Sequence, residues 1–107
     1  MQNKYSMFID DIRDASKYYD FPIVTVRSYY DAVQYVKDHG IPSFVSFDHD
    51  LADDSVPEMT GYSFAKFLIE HIMDNNSTER FEFLVHSANP VGKQNIECYL
   101  NNAFKHL

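Results

Sequence analysis

The chain has 107 residues, enough for one compact domain and little beyond it. Its 16 Asp+Glu against 9 Lys+Arg give a formal net charge of -7 with His neutral, a field that disfavours duplex nucleic acid and anionic membranes. A hydrophobic fraction of 45% with 16% aromatic residues excludes a disordered chain, and the single Cys98 excludes an internal disulfide. No apolar run nears the roughly 20 residues that cross a bilayer, and no secretory leader opens the sequence, so a cytoplasmic location is expected.

No repeat, low-complexity tract or Pro/Gly/Ser linker divides residues 1–107, so a single domain is predicted. Short runs rich in Phe, Ile, Val and Leu predict four strands: Ser6 to Asp10, Ile23 to Arg27, Ser43 to Asp48 and Phe81 to His86. Between the first two, Asp11 to Tyr19 reads as one irregular turn of helix. Tyr29, Ala32, Val33 and Val36 follow helical spacing, with Ser28 as a cap and Gly40 as the stop. A second stripe, Phe64, Ala65, Leu68 and Ile72, is introduced by Thr60-Gly61 and released at Asn75-Asn76. The third, Ile96, Leu100, Ala103, Phe104 and Leu107, starts at Asn89-Pro90, where Asn accepts from orphan N–H groups and Pro at the first helical position loses nothing.

Strands alternating with helices imply a mostly parallel sheet, because parallel neighbours need crossover connections. An open α/β sandwich is the expected architecture, with its functional crevice outside the carboxyl ends of the strands. Those ends are polar: Asp10-Asp11 after the first strand, Asp48-His49-Asp50 after the third, and His86-Ser87-Ala88-Asn89 after the fourth. If the strands are adjacent, at least three carboxylates and two imidazoles meet at one edge. Like charges so placed require a raised carboxylate pKa or a bound cation. An oxygen-rich set suits Mg2+ or Mn2+, with Zn2+ or Fe2+ admitted if His49 or His86 is a direct ligand.

Structural alternatives stand beside these. Asp10-Asp11 alone would suit a turn or a cap, His86 could be a satisfied core histidine, and Ser87 and Asn89 could simply cap the last helix. Asp48-His49-Asp50 is harder to read structurally, since a solvated face alternates polarity instead of concentrating it at one end of an apolar run. Asp53, Asp54 and Glu58 form an acidic loop placed for the rim of the crevice. Lys93, in the first turn of the last helix, and Arg13 are the nearest cations for an anionic substrate. Tyr18, Tyr19, Tyr29 and Tyr30 could serve a dimer contact. Six acids, Asp10, Asp11, Asp48, Asp50, Asp53 and Asp54, follow two strands, so most of the net charge concentrates at one mouth.

The runs Phe-Ile-Asp-Asp at 8 to 11, Ser-Phe-Asp-His-Asp-Leu at 46 to 51, Thr-Gly-Tyr at 60 to 62 and His-Ser-Ala-Asn-Pro-Val-Gly at 86 to 92 carry a resemblance. The pattern resembles the receiver domains of two-component signalling, and within them is similar to the cyclic-phosphate processing receiver domains, a small prokaryotic and viral group. The resemblance implies a three-layer, flavodoxin-like α/β sandwich, truncated to about four parallel strands with flanking helices. It implies that Asp10, Asp11, Asp48 and Asp50 hold a cation and that Asp48 stands at the phosphoacceptor position. Ser87 then contacts the phosphoryl group, and His49 and His86 are the group's additional histidines.

The expected function is a metal-dependent phosphoesterase acting on a cyclic or terminal phosphate of a nucleotide or RNA end. His86, with His49 and Asp48, would carry the catalysis, and Ser87, Asn89 and Lys93 would steady the phosphate. The alternative is a non-enzymatic receiver-like module that binds a partner or a nucleotide, with Asp48 as phosphoacceptor. A third reading is a structural metal-binding domain.

Overall fold

The computed structural model describes residues 5–48, 60–75, 80–87 and 89–106. Its elements follow in the order β1 (Ser6–Ile9), a 3-10 turn (Ala15–Lys17), β2 (Val24–Val26), α1 (Tyr29–His39), β3 (Phe44–Phe47), α2 (Gly61–Asp74), β4 (Glu82–Val85) and α3 (Pro90–His106). The four strands form one parallel sheet in the order β2-β1-β3-β4. With β1 inside and successive units added on either side of it, the strand order reverses next to β1, and a crevice opens there at the carboxyl edge.

Local chemistry sets the element ends. The Ser28 hydroxyl accepts from the Asp31 N–H at the start of α1, and Gly40 ends it at φ 91, a left-handed value that a side chain would strain. Thr60 and Ser63 form a reciprocal capping box at α2. At α3 the Asn89 side chain accepts from the Gly92 N–H at 3.0 Å, as its position before Pro90 predicts. The 3-10 turn is the irregular helical turn read between the first two strands, capped by Asp14.

Each strand stops one residue before its predicted polar end, at Ile9, Val26, Phe47 and Val85. The ladder bonds nevertheless run on: Asp10 N–H donates to Val26 O, Asp48 N–H to Ile9 O and His86 N–H to Phe47 O. These residues are therefore held by the sheet through their backbones while their side chains stand at its rim.

Side-chain alternation divides the sheet into two faces. Met7, Ile9, Val26, Val45, Phe47 and Val85 belong to one apolar cluster with Val36, Phe64, Leu68, Ile72, Ile96 and Leu100 of the helices. Helix α2 packs between α1 and α3, so these helices form one layer. Burying each such side chain contributes about 1.5–3 kcal/mol before chain entropy is counted. The other face carries Phe8, Ser46 and Leu84 in register across β1, β3 and β4. Segment 11–22 is its covering layer: Tyr18 and Tyr19 lie on Phe8, and Tyr19 and Phe21 meet Phe44. Phe8 is fully buried by this, whereas Leu84, at the β4 side, stays 49% exposed. Of the tyrosines read as a contact surface, Tyr18 and Tyr30 are about half exposed, but Tyr19 turns inward and donates its hydroxyl to Ser46 Oγ at 2.9 Å.

No helix among the described residues is long and apolar enough to cross a membrane.

Candidate functional site

The register that pairs Ile9 with Phe47 and Phe47 with Val85 puts the next residues, Asp10, Asp48 and His86, in one row across β1, β3 and β4. Adjacent strands lie about 4.8 Å apart, so two carboxylates and an imidazole are forced together at the sheet's carboxyl edge. Asp11 joins them: one oxygen from each of Asp10, Asp11 and Asp48 lies within 4.8 Å of the others.

Asp10 is fully buried and fully bonded. Its Oδ1 accepts from the backbone N–H groups of Ile12 and Arg13, both at 2.9 Å. Its Oδ2 accepts from Arg13 Nη1 at 2.9 Å and from His86 Nε2 at 2.8 Å. Burial alone would raise its pKa, but the donors from Arg13, Ile12 and His86 outweigh that and hold it down at about 2. A carboxylate has about four lone-pair sites, so all of Asp10's are used.

Asp48 is nearly as buried but less compensated. Burial and the neighbouring charge of Asp10 push its pKa up, against partial relief from Arg13, His86 and a hydrogen bond from the Ser87 hydroxyl. Arg13 Nη1 stands 3.5 Å from Asp48 Oδ2, so the guanidinium lies between the two acids. Arg27 supports the loop from behind, donating to the carbonyls of Arg13 at 2.6 Å and Asp10 at 3.3 Å.

The His86 ring is held on three sides. It stacks flat on Phe8 with centroids 4.6 Å apart, Nε2 meets Asp10, and Nδ1 lies 2.7 Å from Ser46 Oγ. Since an ionised Asp10 can only accept, Nε2 carries a hydrogen. In the neutral ring Nδ1 then accepts from Ser46, whose oxygen accepts from Tyr19, giving a continuous chain from Tyr19 to Asp10.

The structure thus brings together Asp10, Asp11, Asp48, His86 and Ser87 of the residues predicted from sequence. Asn89 adjoins them, its N–H donating to Ser87 Oγ at 3.1 Å while its side chain caps α3. Lys93 is exposed in the first turn of that helix. His49, Asp50, Asp53, Asp54 and Glu58 lie outside the described residues. Sequence reading named Arg13 for a substrate, whereas its guanidinium sits on the acids themselves. It missed Arg27, Ser46 and Tyr19. Ser46 carries a usable signal, a lone hydroxyl in Phe-Val-Ser-Phe two residues before Asp48 and hence on the same face.

Chemically, Asp10, Asp11 and Asp48 are the described set that could hold a divalent cation, and three carboxylate oxygens suit a hard ion. The charge of Asp48, relieved only in part by Arg13, His86 and Ser87, favours such an ion. The filled coordination of Asp10 means that it could bind directly only after losing a donor.

Comparison with known proteins bears on fold and family. No curated protein matches the chain. A solved structure in which yeast Spc42 trimeric coiled-coil amino acids 181–211 form a fusion partner aligns with 91% of this chain and 63% of that one, at 19% identity and a TM-score of 0.56. That likeness supports the α/β fold alone, and this chain spans less than two thirds of that structure's length. The family model for the cyclic-phosphate processing Receiver domain matches residues 5–102. That stretch takes in every strand and the whole acid–histidine row, so the chain belongs to the cyclic-phosphate processing receiver domain family.

Proposed function

We propose that this edge of the sheet is the active site of a metal-dependent phosphoesterase that processes a cyclic or terminal phosphate on a nucleotide or RNA end. The observation that carries the reading is the row of Asp10, Asp48 and His86 with Asp11 beside it, acids and an imidazole gathered at the edge where parallel sheets bind ligands. Asp10, Asp11 and Asp48, with Asp50 on sequence grounds, would hold Mg2+ or Mn2+. When bound, the ion supplies positive charge for the phosphoryl oxygens as negative charge builds on them.

The chain's own groups supply the rest. Asp48, carrying fewer donors than Asp10 and a raised pKa, is the carboxylate with proton-accepting capacity to spare. Protonated at both ring nitrogens, His86 could release Asp10, give its Nε2 hydrogen to the leaving oxygen and return to the neutral form, while Ser46 and Phe8 fix the ring that carries it. Ser87 and the N-terminus of α3, with Lys93 on its first turn, offer hydroxyl, backbone N–H and charge to a non-bridging oxygen. His49 is the second imidazole of the proposal. The test is turnover of a 2′,3′-cyclic nucleotide by the purified protein with Mn2+ or Mg2+. Asp48→Asn and His86→Ala should each lower it by at least about 100-fold; variants as active as the parent chain would overturn the assignment.

A second reading rests on one contact, the Ser87 hydroxyl bonded to Asp48, which places a hydroxyl beside the carboxylate at the receiver phosphoacceptor position. Incubation with acetyl phosphate separates the two. A signalling module takes up one stable phosphoryl group at Asp48; a hydrolase accumulates none and turns over the cyclic substrate.

A further inference from the structure

Arg13 is placed where a divalent cation would have to act. Its Nη1 lies 2.9 Å from Asp10 Oδ2 and 3.5 Å from Asp48 Oδ2, so one guanidinium is shared between two acids and offsets their charge only in part. Asp10 Oδ2 already accepts from Arg13 and from His86, and Oδ1 from two backbone N–H groups. With every lone-pair direction filled, an incoming cation can be ligated by Asp10 only as one donor leaves.

The two side-chain donors differ in how easily they go. His86 is 7% exposed in its side chain, lies flat on Phe8 and is bonded at both ring nitrogens, so displacing it breaks several contacts at once. The Arg13 side chain is 28% exposed, and among the described residues its head is paired with the acids whose charge the cation would replace. Its backbone would not move with it. Arg13 N–H stays on Asp10 Oδ1, and Arg27 holds the Arg13 carbonyl at 2.6 Å. The head released by rotation about its own side chain therefore stays within one side-chain length of the site. A planar guanidinium there is suited to a phosphoryl group.

Resting on the metal-dependent reading above, we propose that Arg13 is the resident countercharge of the acid cluster, exchanged for a divalent cation at Asp10 and thereby freed to meet the anionic substrate. Cation and guanidinium then exclude one another at the acids but cooperate toward phosphate. This assigns Arg13 two linked positions in one cycle. It also gives the site a means of tolerating its acids when no cation is bound.

The experiment is Mn2+ binding to the full chain by calorimetry, followed by inorganic phosphate binding to the Mn2+-loaded protein, for the parent chain, Arg13→Gln and Arg13→Lys. Exchange predicts that Arg13→Gln binds Mn2+ roughly tenfold tighter and, once loaded, binds phosphate roughly tenfold more weakly. Arg13→Lys, which keeps the charge, should bind Mn2+ within about threefold of the parent chain. A purely structural Arg13 would lower both affinities in Arg13→Gln. Mn2+ binding to Arg13→Gln that is equal or weaker overturns the exchange and leaves the metal reading standing. If neither the parent chain nor Arg13→Gln binds Mn2+, the metal reading falls and the exchange with it. Should Arg13→Gln fail to fold, Arg13→Met read by the same two titrations decides in the same way.

Discussion

The His86 ring lies on the Phe8 ring with centroids 4.6 Å apart and planes within 2° of parallel. Phe8 sits two residues further into the sheet on the same face, so a buried residue of β1 supports the imidazole that β4 brings across β3 to Asp10. The imidazole is thereby positioned by a fully buried apolar side chain. Phe8→Leu should keep the face apolar but remove the flat support. We expect a loss of about 1–3 kcal/mol in stability, together with altered imidazole 15N shifts of His86. Unchanged His86 resonances in a folded Phe8→Leu variant would refute the dependence.

The acid limb of stability should carry the signature of Asp10. Its pKa of about 2 lies below the ordinary value of 3.8, so the folded state favours the ionised form. The stabilisation is fully present above about pH 4 and is lost as pH falls through about 2. A shift of this size is worth about 2 kcal/mol. Urea unfolding followed between pH 5 and pH 2 should show that decline in the parent chain. Asp10→Asn should be less stable at pH 5 and should lack this part of the slope.

Asp48 carries the opposite sign. Burial and the charge of Asp10 raise its pKa, so the folded state favours the protonated form. Its contribution is therefore favourable at low pH and is lost as pH rises through the raised value, leaving a charge that Arg13, His86 and Ser87 offset only in part. Without added metal at pH 7, Asp48→Asn should melt higher than the parent chain, while losing the proposed activity. A lower melting temperature for Asp48→Asn at pH 7 would show that Arg13 and Ser87 already satisfy this carboxylate.

Much of this was legible because strand ends are written in one dimension. Apolar runs closing in Asp10, Asp48 and His86 identified the row once a parallel sheet was inferred, and Ser28, Gly40, Thr60 and Asn89 marked helix ends by chemistry that acts within a few residues. The contacts that define the site's electrostatics span the chain instead. His86 meets Asp10 across 76 positions and Ser46 across 40, and Tyr19 meets Ser46 across 27. No local pattern encodes those separations; they follow from register. Arg13 is a different case. It is three residues from Asp10, close enough to have been paired by inspection, but the loop's path turns its head onto the acids and not outward toward a ligand.

Asn89 tests whether a cap and a ligand group can be told apart. Its side-chain oxygen accepts from Gly92 N–H, and its own N–H donates to Ser87, so it joins the start of α3 to the residue bonded to Asp48. Asn89→Asp keeps a good capping oxygen and adds a negative charge that the helix N-terminus favours, so stability should hold or rise by a few tenths of a kcal/mol. The same charge would oppose a phosphate at that helix end. We expect Asn89→Asp to melt no lower than the parent chain yet show a KM for a cyclic nucleotide raised at least about fivefold. Asn89→Ala should melt lower, by about 1 kcal/mol in stability, through loss of the cap. If the Asp variant binds substrate as well as the parent chain, the phosphate does not approach this helix end, and Asn89 serves the fold alone.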